Sequence, residues 1–295
     1  MSVDPGLHRS FLYAPGSRPE LMRKALKGRA DAVILDLEDA VAPGAKDGAR
    51  DEVAGVLREL ADLPADRPAV HVRVNRATDG WDRDDLAAVV VPGLDGLRLP
   101  KAEDASHLVE LAGLLDTLEA ERGLPPGSVG LYPTLETALG ASRLVPIVRS
   151  TPRVRRLAIG TSDLLADLGA EGDERLATLT IRSHLVVESR AAGVGPPVDS
   201  VHTQLDDQDG LRSAARWARS LGFWGKSVIH PRQVDPVHEV FTADPDQLAW
   251  AREVLAALER AERGGDGVAT VGGEFVDEAV AARARAILTR RGTRT

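Results

Sequence analysis

The stretch "DAVILDLEDAVAPGAKDGAR", residues 31–50, opens with the apolar run Ala32, Val33, Ile34, Leu35 and passes straight into Asp36, Glu38 and Asp39. A short apolar run without polar alternation reads as a strand buried on both faces, as in parallel sheets covered by helices. Burying an unpaired carboxylate costs several kcal/mol. A buried strand that ends in three of them therefore either meets cations or forms the floor of a site.

Outward from "AVILDLE" (32–38), seven more short β-rich runs recur between longer helical patterns. They are "SFLYAP" (10–15), "AVHVRVN" (69–75), "GLRLPK" (96–101), "GLYPTLE" (130–136), "RLAIGTSD" (156–163), "VDSVHTQ" (198–204) and "KSVIHP" (226–231). Stretches such as "SHLVELAGLLDTLEAE" (106–121), with leucines at i, i+3 and i+4, read as helices between them. Strands alternating with helices imply a parallel sheet, and eight such units in 295 residues fit an α/β chain folded as a (β/α)8 TIM barrel. An open doubly wound sheet is the alternative, disfavoured because no G-x-G-x-x-G follows any strand. After the eighth strand a helix at 244–263 leads into "GGDGVATVGG" (264–273), a hinge or linker composition, and a last helix spans 275–291. The expected organisation is a barrel domain over 1–263 and a hinged C-terminal helical lid over 264–295.

With 43% hydrophobic and 28% charged residues, the chain can bury a substantial core and keep a polar surface. Its net charge of −8, without a Lys/Arg block, argues against nucleic acid or an anionic membrane as partner. The absence of cysteine excludes disulfides, thiolate zinc sites and cysteine nucleophiles. No run approaches a membrane span and "MSVDPGLHRS" (1–10) lacks an apolar signal core, so the expected location is cytoplasmic.

The C-terminal ends of barrel strands converge on the face where barrel active sites lie. Here those ends carry Asp36, Glu38, Asp39, Arg73, Asn75, Lys101, Glu136, Asp163 and His230. Each also has a plain structural reading: a helix N-cap for Asp39 or Asp163, an ion pair for Arg73, a solvated loop charge for Lys101, a packed core residue for His230. Their joint placement at six strand ends points to a shared polar centre, with Arg73 and Lys101 as counter-charges. No G-x-S-x-G, P-loop or H-E-x-x-H motif competes. Two carboxylates on adjacent strands with open coordination positions suit Mg²⁺, which keeps waters and accepts substrate oxygens. Such an ion chelates a 2-oxo acid, and an arginine beside it stabilises a developing enolate. The set reads as aldol- or Claisen-type chemistry on small carboxylates. Glycoside hydrolysis by paired carboxylates is the competing use, though an aromatic content of 3% leaves little for sugar platforms.

The run 9–50, "RSFLYAPGSRPELMRKALKGRADAVILDLEDAVAPGAKDGAR", resembles the N-terminal signature of the citrate lyase β-subunit-like proteins. These belong to the HpcH/HpaI aldolase superfamily, alongside malyl-CoA and citramalyl-CoA lyases. "VHVRVN", "LPKAED", "TLETALG", "IGTSDLLADLG", "GFWGKSVIHPRQV" and "GGEFVDEAV" follow in order. The resemblance implies a TIM barrel with a C-terminal lid, assembled as a homotrimer or hexamer. It makes Glu136 and Asp163 the Mg²⁺ ligands and Arg73 the residue on the substrate carboxylate or thioester enolate. Asp36, Glu38 and Lys101 join Arg73 and Glu136 as substrate contacts. Tyr13, Arg18, Lys24 and Asp199 lie where coenzyme A is met. Asp277 matches a lid aspartate that enters a neighbouring subunit's site as acid/base, and a glycine-rich hinge before it is what a mobile lid requires.

Three residues depart from the family pattern: Ser162 before Asp163, Gln204 for an aspartate after the seventh strand, and Ala279 for a proline past Asp277. The implied activity is Mg²⁺-dependent retro-Claisen cleavage of a malyl-CoA- or citramalyl-CoA-type thioester, or the reverse condensation. The alternatives are a citrate lyase β subunit acting on a citryl group carried by acyl-carrier protein, and a non-catalytic CoA-ester-binding scaffold.

Overall fold

The computed structural model describes residues 8–61, 67–265 and 267–289. They form two compact units, one ending at Val237 and one beginning at His238.

The first unit holds eight parallel strands: β1 (Ser10–Pro15), β2 (Ala32–Asp36), β3 (Ala69–Arg73), β4 (Gly96–Leu99), β5 (Gly130–Leu135), β6 (Arg156–Ile159), β7 (Gly195–Val198) and β8 (Lys226–Val228). From β1 to β7 each strand pairs with the next, and β8 pairs with β1. The remaining seam is bridged between Asp199 and Lys226, and Trp224 N–H donates to the Pro197 carbonyl at 3.0 Å. This is the expected TIM barrel. The β2 run is buried at every residue, as its unbroken apolar pattern requires. Register places Pro15, Asp36, Arg73 and Arg98 side by side across β1 to β4.

Phe11, Ala32, Ile34, Ala158 and Val198 form an apolar cluster with Tyr13 and Ala69 packed against it. Two fully buried arginines sit against Phe11. Arg98 lies 5.1 Å from the Phe11 ring and 5.8 Å from that of Tyr132. Arg156 donates to the carbonyls of Pro196 (2.8 Å), His8 (3.0 Å) and Trp224. The seventh strand differs from the expected 198–204, lying at Gly195–Val198, "GPPV". Two prolines mask it in the sequence, since proline offers no N–H to a ladder. Their carbonyls are used all the same, one by Arg156 and one by Trp224.

In the second unit the helix Pro245–Gly264 starts at a capping box: Asp244 accepts the Gln247 N–H (2.7 Å), and the Gln247 side chain accepts that of Asp244 (3.3 Å). Its buried Ala251, Val254, Ala257 and Leu258 pack with Val271, Val276, Ala281, Ala284 and Ile287. This helix therefore groups with the C-terminal segment, where the sequence reading places it with the barrel. The expected hinge is in part an antiparallel hairpin, Ala269–Val271 with Glu274–Val276. Gly272 and Gly273, at φ +57° and +85°, make its two-residue turn. The last helix is Glu278–Thr289, so Phe275 and Val276 are strand instead of helix. Its expected end at 290–291 lies outside the described residues. No helix among the described residues is long and apolar enough to cross a membrane.

Candidate active site

The carboxylates that end β2 do meet a cation. Asp36, 2% exposed, accepts the N–H groups of Glu38 (3.0 Å) and Ala40 (3.2 Å). Arg73, its register partner on β3, clamps both its oxygens, Nε to Oδ1 at 2.6 Å and Nη2 to Oδ2 at 2.7 Å. Two parallel charge-assisted bonds fix the plane of the guanidinium. Its Nη1 reaches Glu38 at 2.7 Å and Asp39, whose side chain is 73% exposed, at 3.1 Å. One edge of Arg73 is thus locked into the wall, and the other is held in part by a group that an anionic ligand can replace. Burial alone would lower the Arg73 pKa; the bond to Asp36 and the nearby Tyr13 and Glu38 outweigh it and raise it. Burial pushes Glu38 up to about 7 against the pull of Arg73, with Asp39 and Asp36 adding repulsion.

Lys46 pins the loop that follows β2, donating to the carbonyls of Leu37 (2.5 Å) and Glu38 (2.7 Å) and to Asn75 Oδ1 (2.6 Å). Asn75 is in turn held by Asp85, and Asp85 by Arg50. Asn75 is therefore a brace of the loop. The sequence reading does not single out Lys46, Arg50 or Asp85. The first two lie inside the opening stretch, but nothing in their spacing shows what they reach.

Glu136, just past β5 and 7% exposed, accepts the Lys101 N–H on Oε2 at 2.9 Å. Its Oε1 has no hydrogen-bond partner among the described residues. Lys101 stands at φ +46°, the only positive φ outside glycine among the described residues. Such backbone strain is typical of functional sites, and the residue's bond to the site is made by its backbone. Asp163 lies exposed in the first turn of the helix Thr161–Leu168. Glu136 and Asp163 both line a cleft of about 420 Å³, together with Tyr13, Asp36, Asp39, Arg73 and Ser162. Burial raises Glu136 to about 8; Glu38 and Asp163 add to the rise, and the Lys101 N–H and Arg73 offset only part of it. Burial thus favours the neutral acid of Glu136, and a cation beside it would favour the carboxylate. The donors are hard oxygens, and no group of three or more His, Cys, Asp or Glu side chains is disposed to enclose a metal among the described residues. Two carboxylates with open positions fit Mg²⁺ better than a closed zinc site.

Of the other expected residues, Tyr13 faces the cleft beneath Arg73, 5.0 Å from its ring centroid, and burial raises its phenol. Arg18 and Lys24 are exposed and do not line the cleft, Arg18 lying 3.9 Å from Glu20. Asp199, expected as a coenzyme A contact, does not line this cleft; it is 2% exposed, and its oxygens go to Arg182 and Lys226, both at 2.6 Å. Burial favours its neutral form, but Lys226 and Arg182 together hold it below the usual carboxylate range. His230 caps a short turn, its Nδ1 accepting the Arg232 N–H at 3.1 Å. Asp277, in the C-terminal unit, caps the helix Glu278–Thr289 by accepting the Val280 N–H at 3.0 Å. Gln204 is exposed in the loop after β7, and Ala279 is exposed on the last helix.

Residues 9–231 match the HpcH/HpaI aldolase/citrate lyase family. The citrate lyase β subunit of Escherichia coli strain K12 is 35% identical over 283 residues, covering 96% of this chain and 92% of that protein. A (3S)-malyl-CoA thioesterase of Cereibacter sphaeroides is 37% identical over 283 residues, covering 96% and 94%. The crystal structure of protein CitE from Mycobacterium tuberculosis in complex with magnesium, acetoacetate and coenzyme A superposes with a TM-score of 0.76 at 32% identity, covering 96% of this chain and 98% of that one.

Proposed function

This chain belongs to the HpcH/HpaI aldolase/citrate lyase family, and from that premise we propose that it is a Mg²⁺-dependent lyase acting on a malyl-CoA- or citramalyl-CoA-type thioester. The products are acetyl-CoA and a 2-oxo acid. The observation that carries this reading is the meeting of Glu136, Asp163 and Arg73 at one cleft on the strand-end face of the barrel. The magnesium and coenzyme A bound by the Mycobacterium tuberculosis relative support it.

Glu136 and Asp163 would hold the ion, which when bound supplies Lewis-acid polarisation of the 2-oxo acid carbonyl. The Lys101 N–H keeps one oxygen of Glu136 in place, so the ligand is oriented before substrate arrives. Arg73 turns its Nη1 edge to the substrate carboxylate or the thioester enolate oxygen, in exchange for the exposed Asp39. Asp36 holds the opposite edge and keeps the fork from rotating. In the cleavage direction the β-hydroxyl passes its proton to the Asp277 carboxylate of a neighbouring subunit, the Cα–Cβ bond breaks, and its electron pair passes to the thioester enolate. Asp277 then delivers a proton to that carbon. Condensation is the same path reversed, and thioester hydrolysis can follow it. Tyr13, Arg18 and Lys24 are the proposed contacts for coenzyme A, and the proposed assembly is a homotrimer or hexamer in the cytoplasm.

A second reading is a citrate lyase β subunit working on a citryl group carried by acyl-carrier protein, favoured by the Escherichia coli relative. A product screen of the purified protein with Mg²⁺ against malyl-CoA, citramalyl-CoA and citryl-CoA, run in both directions, decides between these. Acetyl-CoA from either of the first two supports the lyase proposed here. Turnover only with a citryl group overturns it.

A further inference from the structure

The helix that carries Asp163 is gripped at its first residue, Thr161, by a buried polar network whose charged members, Arg182, Asp199 and Lys226, do not line the cleft. Arg182, on the helix Glu174–Ala191 and 2% exposed, donates in three directions. Its Nη2 reaches Thr161 Oγ1 at 2.8 Å, its Nη1 Asp199 Oδ1 at 2.6 Å, and its Nε Thr178 Oγ1 at 3.0 Å. The other oxygen of Asp199 takes the Lys226 ammonium at 2.6 Å. The Thr161 N–H donates to Ser200 Oγ at 3.1 Å. The Arg182 guanidinium also lies 4.8 Å from the Trp217 ring and 5.5 Å from that of Phe223, which fixes its plane.

Groups from a surface helix, the end of β7 and the start of β8 thus converge on a residue two positions before Asp163. A buried ion pair is weak evidence of stabilisation, because desolvation offsets most of the attraction. A fork with three separate acceptors is instead suited to fixing position. Groups that orient a metal ligand from behind commonly set the affinity of the centre.

We propose that Arg182, held by Asp199 and Lys226, is a positioning residue for the metal centre. By fixing Thr161 it sets where the Asp163 carboxylate stands, and so sets the Mg²⁺ affinity of the cleft. The inference rests on the reading of Glu136 and Asp163 as ligands.

Arg182 itself is a poor target, since its loss strands buried charge. Thr161→Val removes only the hydroxyl it grips and leaves every charge paired; Thr161→Ser keeps the hydroxyl. Isothermal titration of the full-length protein with MgCl₂ reads affinity directly, with melting temperature and kcat at saturating Mg²⁺ measured beside it. Thr161→Val should weaken Mg²⁺ binding on the order of tenfold, keep a kcat close to wild type once saturated, and be rescued by Thr161→Ser. Unchanged affinity in Thr161→Val, or an equal loss in Thr161→Ser, overturns the positioning role and leaves the ligand assignment standing. A wild-type protein that binds no Mg²⁺ overturns the ligand assignment itself.

Discussion

Gly160→Ala places a single methyl group against Glu136, a ligand of the proposed metal site. Gly160 follows β6 at φ −105° and ψ 90°, a conformation alanine adopts freely, so the substitution carries no backbone penalty. The new Cβ would stand 2.5 Å from Glu136 Cγ, 2.7 Å from its Oε1 and 3.0 Å from its Cδ. Carbon–carbon contacts settle at about 3.5–4.0 Å, so the Glu136 side chain must retreat by about 1 Å. A displacement of that size at a reacting centre costs about 10²-fold in rate. The overpacking costs about 1–3 kcal/mol of stability, against a total of about 5–15 kcal/mol for a typical protein, so the variant should fold. Calorimetric Mg²⁺ titration and thioester-cleavage rates on the folded variant form the assay. Weakened Mg²⁺ binding with turnover down about 10²-fold is expected. Native Mg²⁺ affinity together with native turnover would refute the claim that Glu136 works from this position.

Arg73→Lys keeps the charge but loses the fork on Asp36 and the second edge; steady-state rates should fall about 10²–10³-fold, or about 2.7–4 kcal/mol. Unfolding of that variant would mark Arg73 as a structural counter-ion alone. Asp277→Asn keeps the helix cap, since asparagine caps as well as aspartate, and should bind Mg²⁺ and CoA esters yet lose turnover. Mixing it with Glu136→Ala subunits should restore part of the activity; no recovery, with subunit exchange verified by mass spectrometry, counts against a lid shared between subunits. Metal-free protein should lose stability as pH rises from about 4.5 toward 8, because Glu136 at about 8 and Glu38 at about 7 favour the protonated folded form. Added Mg²⁺ should flatten that slope in thermal melts, and a melting temperature independent of pH in EDTA contradicts the picture.

The barrel is legible in the sequence because its strands are short apolar runs buried on both faces, β2 above all. Strand ends are less so: "IGTSD" keeps an extended look in sequence, yet Thr161 already begins a helix. The prolines of β7 hide a strand that uses only their carbonyls. "GGDGVATVGG" reads as a tether because glycine composition does not distinguish a linker from a tight turn. At the site, Asp36 and Arg73 are legible because adjacent strand ends must face each other. Asp199 is not, since its partner Arg182 stands on a helix whose rotation the sequence leaves open. Gly160 goes unmarked because its reason is the side chain of Glu136, just past the neighbouring strand.

The central claim is that Glu136 and Asp163 hold the Mg²⁺ that carbon–carbon cleavage requires. Its most direct test is a Mg²⁺ titration of thioester cleavage in the wild type, Glu136→Ala and Asp163→Ala, with melting temperatures as the control on folding. The wild type should show saturable Mg²⁺ dependence, and both variants should be folded and without Mg²⁺-dependent turnover. Full activity with saturable Mg²⁺ dependence in either variant contradicts the account.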